Sequence, residues 1–153
     1  MARIKVGDSF GDFTLKNQTE AVIDTVALTE KNLLLSLHPL AWTSVCASQM
    51  QSLETNYETL RVLNTVPLGL SVDSSPCKKA WAESLSIEKI HLLADFWPHG
   101  GIAQKLGLFI DKLGFSERAN VILDEKRKAI FVKIYPMVEL PDINEVLDFL
   151  KKR

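Results

Sequence analysis

Two cysteines, Cys46 and Cys77, are the only thiols in this chain of 153 residues. Their surroundings decide whether they do chemistry or merely pack. A protonated thiol is a weak nucleophile, and its free pKa lies at about 8.5. Cys46 falls where "HPLAWTSVC" passes from an apolar run through Pro39 into a helical pattern, with Thr43 and Ser44 as capping residues just before it. A helix N-terminus presents unpaired N–H groups and a positive dipole end, and both favour a thiolate. The same cysteine could equally be an inert, buried small hydrophobe. Composition and helix position alone leave both readings open. Cys77 follows Pro76 at the start of the next expected helix, an environment that also lowers a thiol pKa.

Other chemistries find little support. His91, His99 and Asp95 do not follow a metal-ligand spacing, and two thiols so far apart make a poor zinc site. "HGGIAQKLG" lacks the G-x-G-x-x-G spacing and context of a dinucleotide loop. No metal, flavin, haem or nicotinamide site is therefore expected.

The elements that must position the thiols follow from periodicity. "DFTLKNQTEAVID" pairs short alternating pieces around the polar turn Asn17–Glu20, which suggests an N-terminal β-hairpin. "NLLLSLH" is a short continuous apolar run, as in a buried central strand. Met50, Leu53, Tyr57 and Leu60 then fall at helical spacing, with Gln51, Glu54, Glu58 and Arg61 on the solvated side, which predicts one helix from Val45 or Cys46. "VPLGLSV" reads as a strand and "PCKKAWAESL" as a helix. "HLLAD" is a strand and "PHGGIAQKLGLF" holds a short helix. "RANVILD" and "AIFVKIY" make a hairpin across "EKRK". "PDINEVLDFLKK" closes with a helix whose Asp142 and terminal lysines suit its dipole. Strands alternating with helices imply an α/β sandwich with a mixed central sheet, in one domain spanning residues 1–153.

Charge narrows the partners. The chain is 46% hydrophobic and 24% charged, with a formal net charge of −1. No basic excess points to nucleic acid. The start "MARIKVGDSFGDF" has no signal-peptide core, and "NLLLSLHPLAW" is too short to span a bilayer. A soluble, cytoplasmic protein is expected, and its cysteines are not expected to form a static disulfide framework.

The spacing P-x-x-x-T-x-x-C over Pro39, Thr43 and Cys46, set between a strand and a helix, resembles the active-site loop of the peroxiredoxins. "GDSFGDFTL" resembles that family's opening segment, and "LGLSVDSSPCKKAWAESL" its S-V-D-S…A-W stretch. "LLADFWPHGGIAQKLGLF" and "GFSERANVILDEKRKAIF" resemble its later strand–helix and hairpin, with Arg118 at the family's arginine position. The match runs through nearly the whole chain in order. It implies a thioredoxin-like fold with an N-terminal hairpin extension. It also implies a thiol-dependent peroxidase acting on hydrogen peroxide and organic hydroperoxides, supplied with electrons by a thioredoxin- or glutaredoxin-like partner. A homodimer is a family-based expectation.

The resemblance also implies roles. Cys46 would be the peroxidatic thiolate, leaving as products water or an alcohol and a sulfenic acid on its own sulfur. Thr43 would hold the peroxide in line, Pro39 would shield the site, and Arg118 would stabilise the thiolate and the leaving oxygen. Each has a bland reading as N-cap, turn or solvated charge. Cys77 is a candidate resolving cysteine, forming a disulfide after local unwinding; otherwise it packs, and an external thiol resolves Cys46. Gln51 stands where some relatives have a second cysteine, and the long C-terminal arm with a V-C-P motif is missing. The segment after Gly100–Gly101 lacks the L-G of overoxidation-sensitive relatives.

His38 is expected to pack and hydrogen-bond, Trp42 to cover the loop, and Trp81 and Trp97 to be core or interface residues. Two rivals remain. A thioredoxin-like disulfide oxidoreductase uses C-x-x-C, but Thr43 occupies the first position of "TSVC". A non-enzymatic redox sensor would oxidise at Cys46 and turn over poorly.

Overall fold

Asn17 begins the order. Its side-chain Oδ1 accepts from Thr19 N, Ala21 N and Thr19 Oγ1, closing the turn between strands β1 (Thr14–Lys16) and β2 (Val22–Asp24), which pair antiparallel. The computed structural model describes residues 2–28 and 30–153. After the hairpin and a 3-10 turn at Thr25–Leu28 comes β3 (Asn32–Leu37), buried at every position.

Helices α1 (Ser44–Thr55) and α2 (Tyr57–Val62) follow, then β4 (Thr65–Ser71), α3 (Ser75–Ser84), β5 (His91–Ala94) and α4 (Gly101–Lys105). A short hairpin of β6 (Phe109–Ile110) and β7 (Phe115–Ser116) precedes β8 (Arg118–Leu123), β9 (Ala129–Tyr135) and α5 (Ile143–Lys151). The main sheet runs β5-β4-β3-β8-β9. Its β3–β4 and β4–β5 pairs are parallel, and β3–β8 and β8–β9 antiparallel, so the mixed sheet expected from the sequence is present.

Strand alternation assigns the faces. Leu33, Leu35 and Leu37 join Leu68, Leu70, Val121 and Leu123 in one apolar cluster, with Ile102, Ala103 and Leu106 from the α4 region. Leu34, Leu92 and Ile122 point the other way, against Met50, Leu53, Leu60, Trp81, Val146 and Leu150 of α1, α2, α3 and α5. Gly69 lets α1 come close. A Cβ there would lie 2.4 Å from the Met50 sulfur. Glu54, near the end of α1, accepts from the backbone N–H groups of Glu88, Lys89 and Ile90 and so fixes the approach to β5.

The hairpin β1–β2 also covers the free edge of β5. Gln18 Nε2 donates to Ile90 O at 3.0 Å, and Gln18 Oε1 accepts from Leu92 N at 2.8 Å, as a neighbouring strand would.

Two features depart from the sequence reading. The single helix after Pro39 is two, because the chain breaks at Asn56, whose Nδ2 donates to Ser52 O. The hairpin β6–β7 was not anticipated; its two-residue strands are too short to show a period. Trp81 is core, one of the two places expected for it, and Trp97 is 80% exposed, which removes the core reading and keeps the interface one.

Candidate active site

The N-terminal turn of α1 supplies Cys46 as its third residue, and Cys46 has no exposed surface. Cys46, Gln49, Met50 and Leu53 are all buried and form one helical stripe, so Gln49 shares the inward face with the thiol. Ahead of the helix, Pro39 is buried and Thr43 is exposed. Thr43 sits at the N-cap position in extended conformation, yet its side chain makes no cap bond. Its Oγ1 donates instead to Leu40 O at 2.8 Å, which leaves the oxygen lone pairs free as acceptors. Trp42 turns the chain with a left-handed φ of 66°, a strained conformation for a non-glycine residue.

Alternation along β8 puts Arg118 on the same face as Asn120 and Ile122, toward α1. Its Nη1 donates to Cys46 Sγ at 3.3 Å and to Gln49 Oε1 at 2.8 Å. Nε and Nη2 both donate to Met137 O, at 3.1 and 2.8 Å. The solvated-charge reading of Arg118 is therefore wrong: it is buried. No carboxylate pairs with it among the described residues. Gln49 is itself held. Its Nε2 donates to Ser36 Oγ at 2.8 Å and Leu37 O at 3.1 Å, and Ser36 Oγ donates to Asn120 Oδ1 at 2.8 Å. A buried and satisfied polar chain thus fixes the guanidinium against the thiol.

Cys77 is the third residue of α3, as Cys46 is of α1. Both cysteines are free thiols. The Ser74 side chain caps this helix by accepting from Cys77 N at 3.4 Å. The helix start does not lower the Cys77 pKa, however. Partial burial and then the negative charge of Asp73 push it up, and hydrogen bonding to Trp42 and the charge of Lys78 oppose that shift. The expectation of an easily ionised thiol is corrected by this burial together with Asp73, whose Oδ1 accepts from Cys77 Sγ at 3.7 Å. Asp73 Oδ2 accepts from Ala41 N at 2.8 Å and Ser71 Oγ at 2.7 Å. One carboxylate thus ties the Pro39–Thr43 loop to the start of α3, and the two cysteines stand at loops that share it.

His38 lies beneath this arrangement. It is buried, its ring is 5.1 Å from that of Trp81, and its Nε2 is 3.5 Å from Lys78 Nζ. Burial and the charges of Lys78 and Arg118 hold its pKa well below the imidazole range, so the ring is neutral. The Leu40 backbone opposes this only weakly, and Nδ1 makes no hydrogen bond of good geometry. The packing role expected for His38 is what the contacts display.

Asp73, Gln49 and Lys78 were not foreseen as neighbours of the thiols. Gln49 and Lys78 both fall on buried helical stripes, Lys78 with Ser75, Trp81 and Ala82. Those stripes were the available signal. A groove of about 530 Å³ between the β1–β2 hairpin and Phe96–Trp97 borders Pro76 rather than Cys46. No group of three or more His, Cys, Asp or Glu side chains placed to hold a metal occurs among the described residues.

Comparison with known proteins adds to this geometry. The model of the AhpC/TSA family matches residues 6–131. Alkyl hydroperoxide reductase E of Mycobacterium tuberculosis is 29% identical over 140 residues, covering 91% of each chain. A peroxiredoxin of Pyrococcus furiosus is 30% identical, covering 97% of this chain and 71% of its own. Among solved structures, AhpC of Enterococcus faecalis superposes with a TM-score of 0.87 at 24% identity, over 96% of this chain and 90% of its own. That likeness assigns the fold, a thioredoxin-like α/β sandwich.

Proposed function

The chain belongs to the AhpC/TSA family of peroxiredoxins and alkyl hydroperoxide reductases and is a thiol-dependent peroxidase, and on that premise we propose that Cys46 is the peroxidatic cysteine, served by Arg118, Thr43 and Pro39. The observation that carries this reading is the buried Arg118 guanidinium, 3.3 Å from Cys46 Sγ and without a carboxylate partner among the described residues. An uncompensated buried cation is costly. A thiolate on Cys46 is the anion within its reach.

The thiolate attacks the terminal oxygen of the hydroperoxide, and the O–O bond breaks. The sulfur keeps the OH as a sulfenic acid, and the remaining alkoxide or hydroxide takes up the proton that the Cys46 thiol released on ionising and leaves as alcohol or water. Arg118 offers N–H groups to the charge that grows on the leaving oxygen. Thr43 Oγ1, its hydrogen committed to Leu40 O, accepts from the peroxide O–H and aligns it. Pro39 excludes water. Since Cys46 has no exposed surface, the Pro39–Thr43 loop yields to admit the substrate.

Cys77 then resolves the sulfenic acid as a disulfide. Asp73, which binds both loops, keeps the thiol beside the segment that must move. A thioredoxin- or glutaredoxin-like protein reduces that disulfide, and hydrogen peroxide and small organic hydroperoxides are the substrates. The protein acts in the cytoplasm as a homodimer; Leu40, Trp42, Val138 and Leu140 leave apolar surface around the site for such contacts.

Cys46→Ser is expected to abolish peroxide consumption with added dithiol; full activity in that variant rejects the assignment. One equivalent of peroxide followed by intact-mass analysis is expected to show loss of two hydrogens. A lasting gain of one oxygen on Cys46 without a disulfide assigns resolution to an external thiol instead.

A further inference from the structure

Cys46 and Cys77 hold equivalent places in the fold. Each is the third residue of a helix, α1 or α3. Those helices follow β3 and β4, which are parallel neighbours, so both thiols lie at the same end of the sheet. By helix position alone the two would ionise alike, and both would be nucleophiles toward a peroxide. Their side-chain partners differ in sign. A guanidinium donates to Cys46, with Arg118 Nη1 3.3 Å from its Sγ. A carboxylate accepts from Cys77, with Asp73 Oδ1 3.7 Å from its Sγ.

The carboxylate is aimed through its other oxygen. Asp73 Oδ2 accepts from Ala41 N at 2.8 Å and from Ser71 Oγ at 2.7 Å, which leaves Oδ1 directed at the thiol. Ionising Cys77 there would break the S–H···O bond and set two negative charges side by side.

We propose that Asp73 is a positioning residue that determines which thiol reacts: it holds Cys77 as a neutral thiol in the closed fold and so confines peroxide attack to Cys46. This rests on the reading of Cys46 as the peroxidatic cysteine. Burial is the largest influence raising the Cys77 pKa, and the Asp73 charge is the next. Trp42, from the loop before α1, and the charge of Lys78, the next residue of α3, act the other way without reversing the shift.

The restraint keeps a thiol in reserve. A thiolate at Cys77 would itself attack a hydroperoxide. Its sulfur would take one oxygen as the O–O bond broke, and the proton it had released would leave with the other oxygen as water or alcohol. With both sulfurs so oxidised, no thiol would remain to close the disulfide. Once the start of α3 unwinds, Cys77 leaves Asp73 behind, and its thiol ionises as it does in water.

The test reads Cys77 alone, in the full chain carrying Cys46→Ser, with Asp73 intact or replaced by Asp73→Asn or Asp73→Ser. Asparagine keeps an oxygen for Ala41 N and Ser71 Oγ and can turn an N–H donor toward the thiol; serine removes the charge with a smaller side chain. Iodoacetamide alkylation across pH gives a midpoint, which reports the charge beside the thiol, and a high-pH plateau, which reports its exposure. Both substitutions are expected to move the midpoint to lower pH and to speed alkylation near pH 7 roughly tenfold. Excess hydrogen peroxide is expected to add oxygen to Cys77 faster by a similar factor, read by intact mass. An unchanged midpoint overturns the proposal, as does a change in the plateau alone, which is what a loosened structure gives. Should neither substitution fold, the comparison is between the folded Cys46→Ser chain and the same chain in urea. A Cys77 midpoint no higher in the folded chain again overturns the role of Asp73. Rapid peroxide consumption by Cys46→Ser with Asp73 in place rejects the reading of Cys46 itself, and the confinement with it.

Discussion

At the scale of single residues the site is a set of directed hydrogen bonds around one sulfur. Arg118 spends two of its N–H groups on Met137 O and shares Nη1 between Gln49 and Cys46, so its orientation does not depend on substrate. Replacing it with alanine removes both the charge beside Cys46 and the donor proposed for the leaving oxygen. The expected loss in the second-order rate of peroxide attack is ~10²-fold, read by stopped-flow tryptophan fluorescence. Arg118→Lys is expected to recover only part of it, because a point charge cannot span Met137 O and Cys46 together. Thr43→Ser is expected to retain most of the rate and Thr43→Val to lose it, since the hydroxyl acceptor rather than the cap matters; equal rates in the two variants contradict the assignment. Cys46, Thr43, Pro39 and Arg118 could be proposed from the sequence because they stand in a recognisable order. Gln49 and Lys78 were not, because a glutamine among polar neighbours and a lysine next to Lys79 read as solvated until the helical stripe is drawn.

At the scale of elements, position follows from periodicity. The period of two on β8 aims Arg118 at α1, and the helical period of α1 aims Cys46 and Gln49 back at it. The separation of the two layers is set at Gly69, where a Cβ would fall 2.4 Å from the Met50 sulfur. Gly69→Ala is expected to push α1 outward, lower stability by about 1–3 kcal/mol and slow peroxide attack, because the α1–β8 distance changes with it. Denaturant unfolding and the oxidation rate should move together; a stability loss with unchanged oxidation would mean that the helix repacks without shifting Cys46. The central strands and longer helices could be read from their patterns. The break at Asn56 could not, because the apolar spacing from Met50 to Leu60 continues across it, and a single residue decides it by backbone geometry. The upward push on Cys77 also escaped the sequence: a helix start lowers a thiol pKa, and only the folded chain partly buries this one and turns the Asp73 carboxylate onto it.

At the scale of the whole molecule, buried titratable groups set how stability varies with pH. The Lys78 pKa is lowered from 10.5 to about 7, so from about pH 7 upward the unfolded chain binds a proton that the folded chain does not. Stability therefore rises with pH across that window. Above the ordinary Cys77 value of 9.0 the raised pKa of Cys77, joined above 10.0 by that of Tyr135, acts the other way, because there the folded chain holds protons that the unfolded chain has lost. Urea unfolding of the reduced protein is expected to show a gain in stability between about pH 7 and 9. Lys78→Met is expected to be more stable below pH 7 and to lack that gain; an unchanged slope would mean that the lysine stays charged in the fold. Met50 has a further consequence, which concerns wear. Its thioether lies one turn beyond Cys46, has no exposed surface and is pressed against Gly69, so the added oxygen of a sulfoxide has nowhere to go while α1 is formed. If resolution unwinds the start of that helix, every catalytic cycle briefly opens the same seal, and the machine's working motion becomes the route of its ageing. Sulfoxide at Met50 should accumulate with the number of turnovers completed rather than with time spent in peroxide.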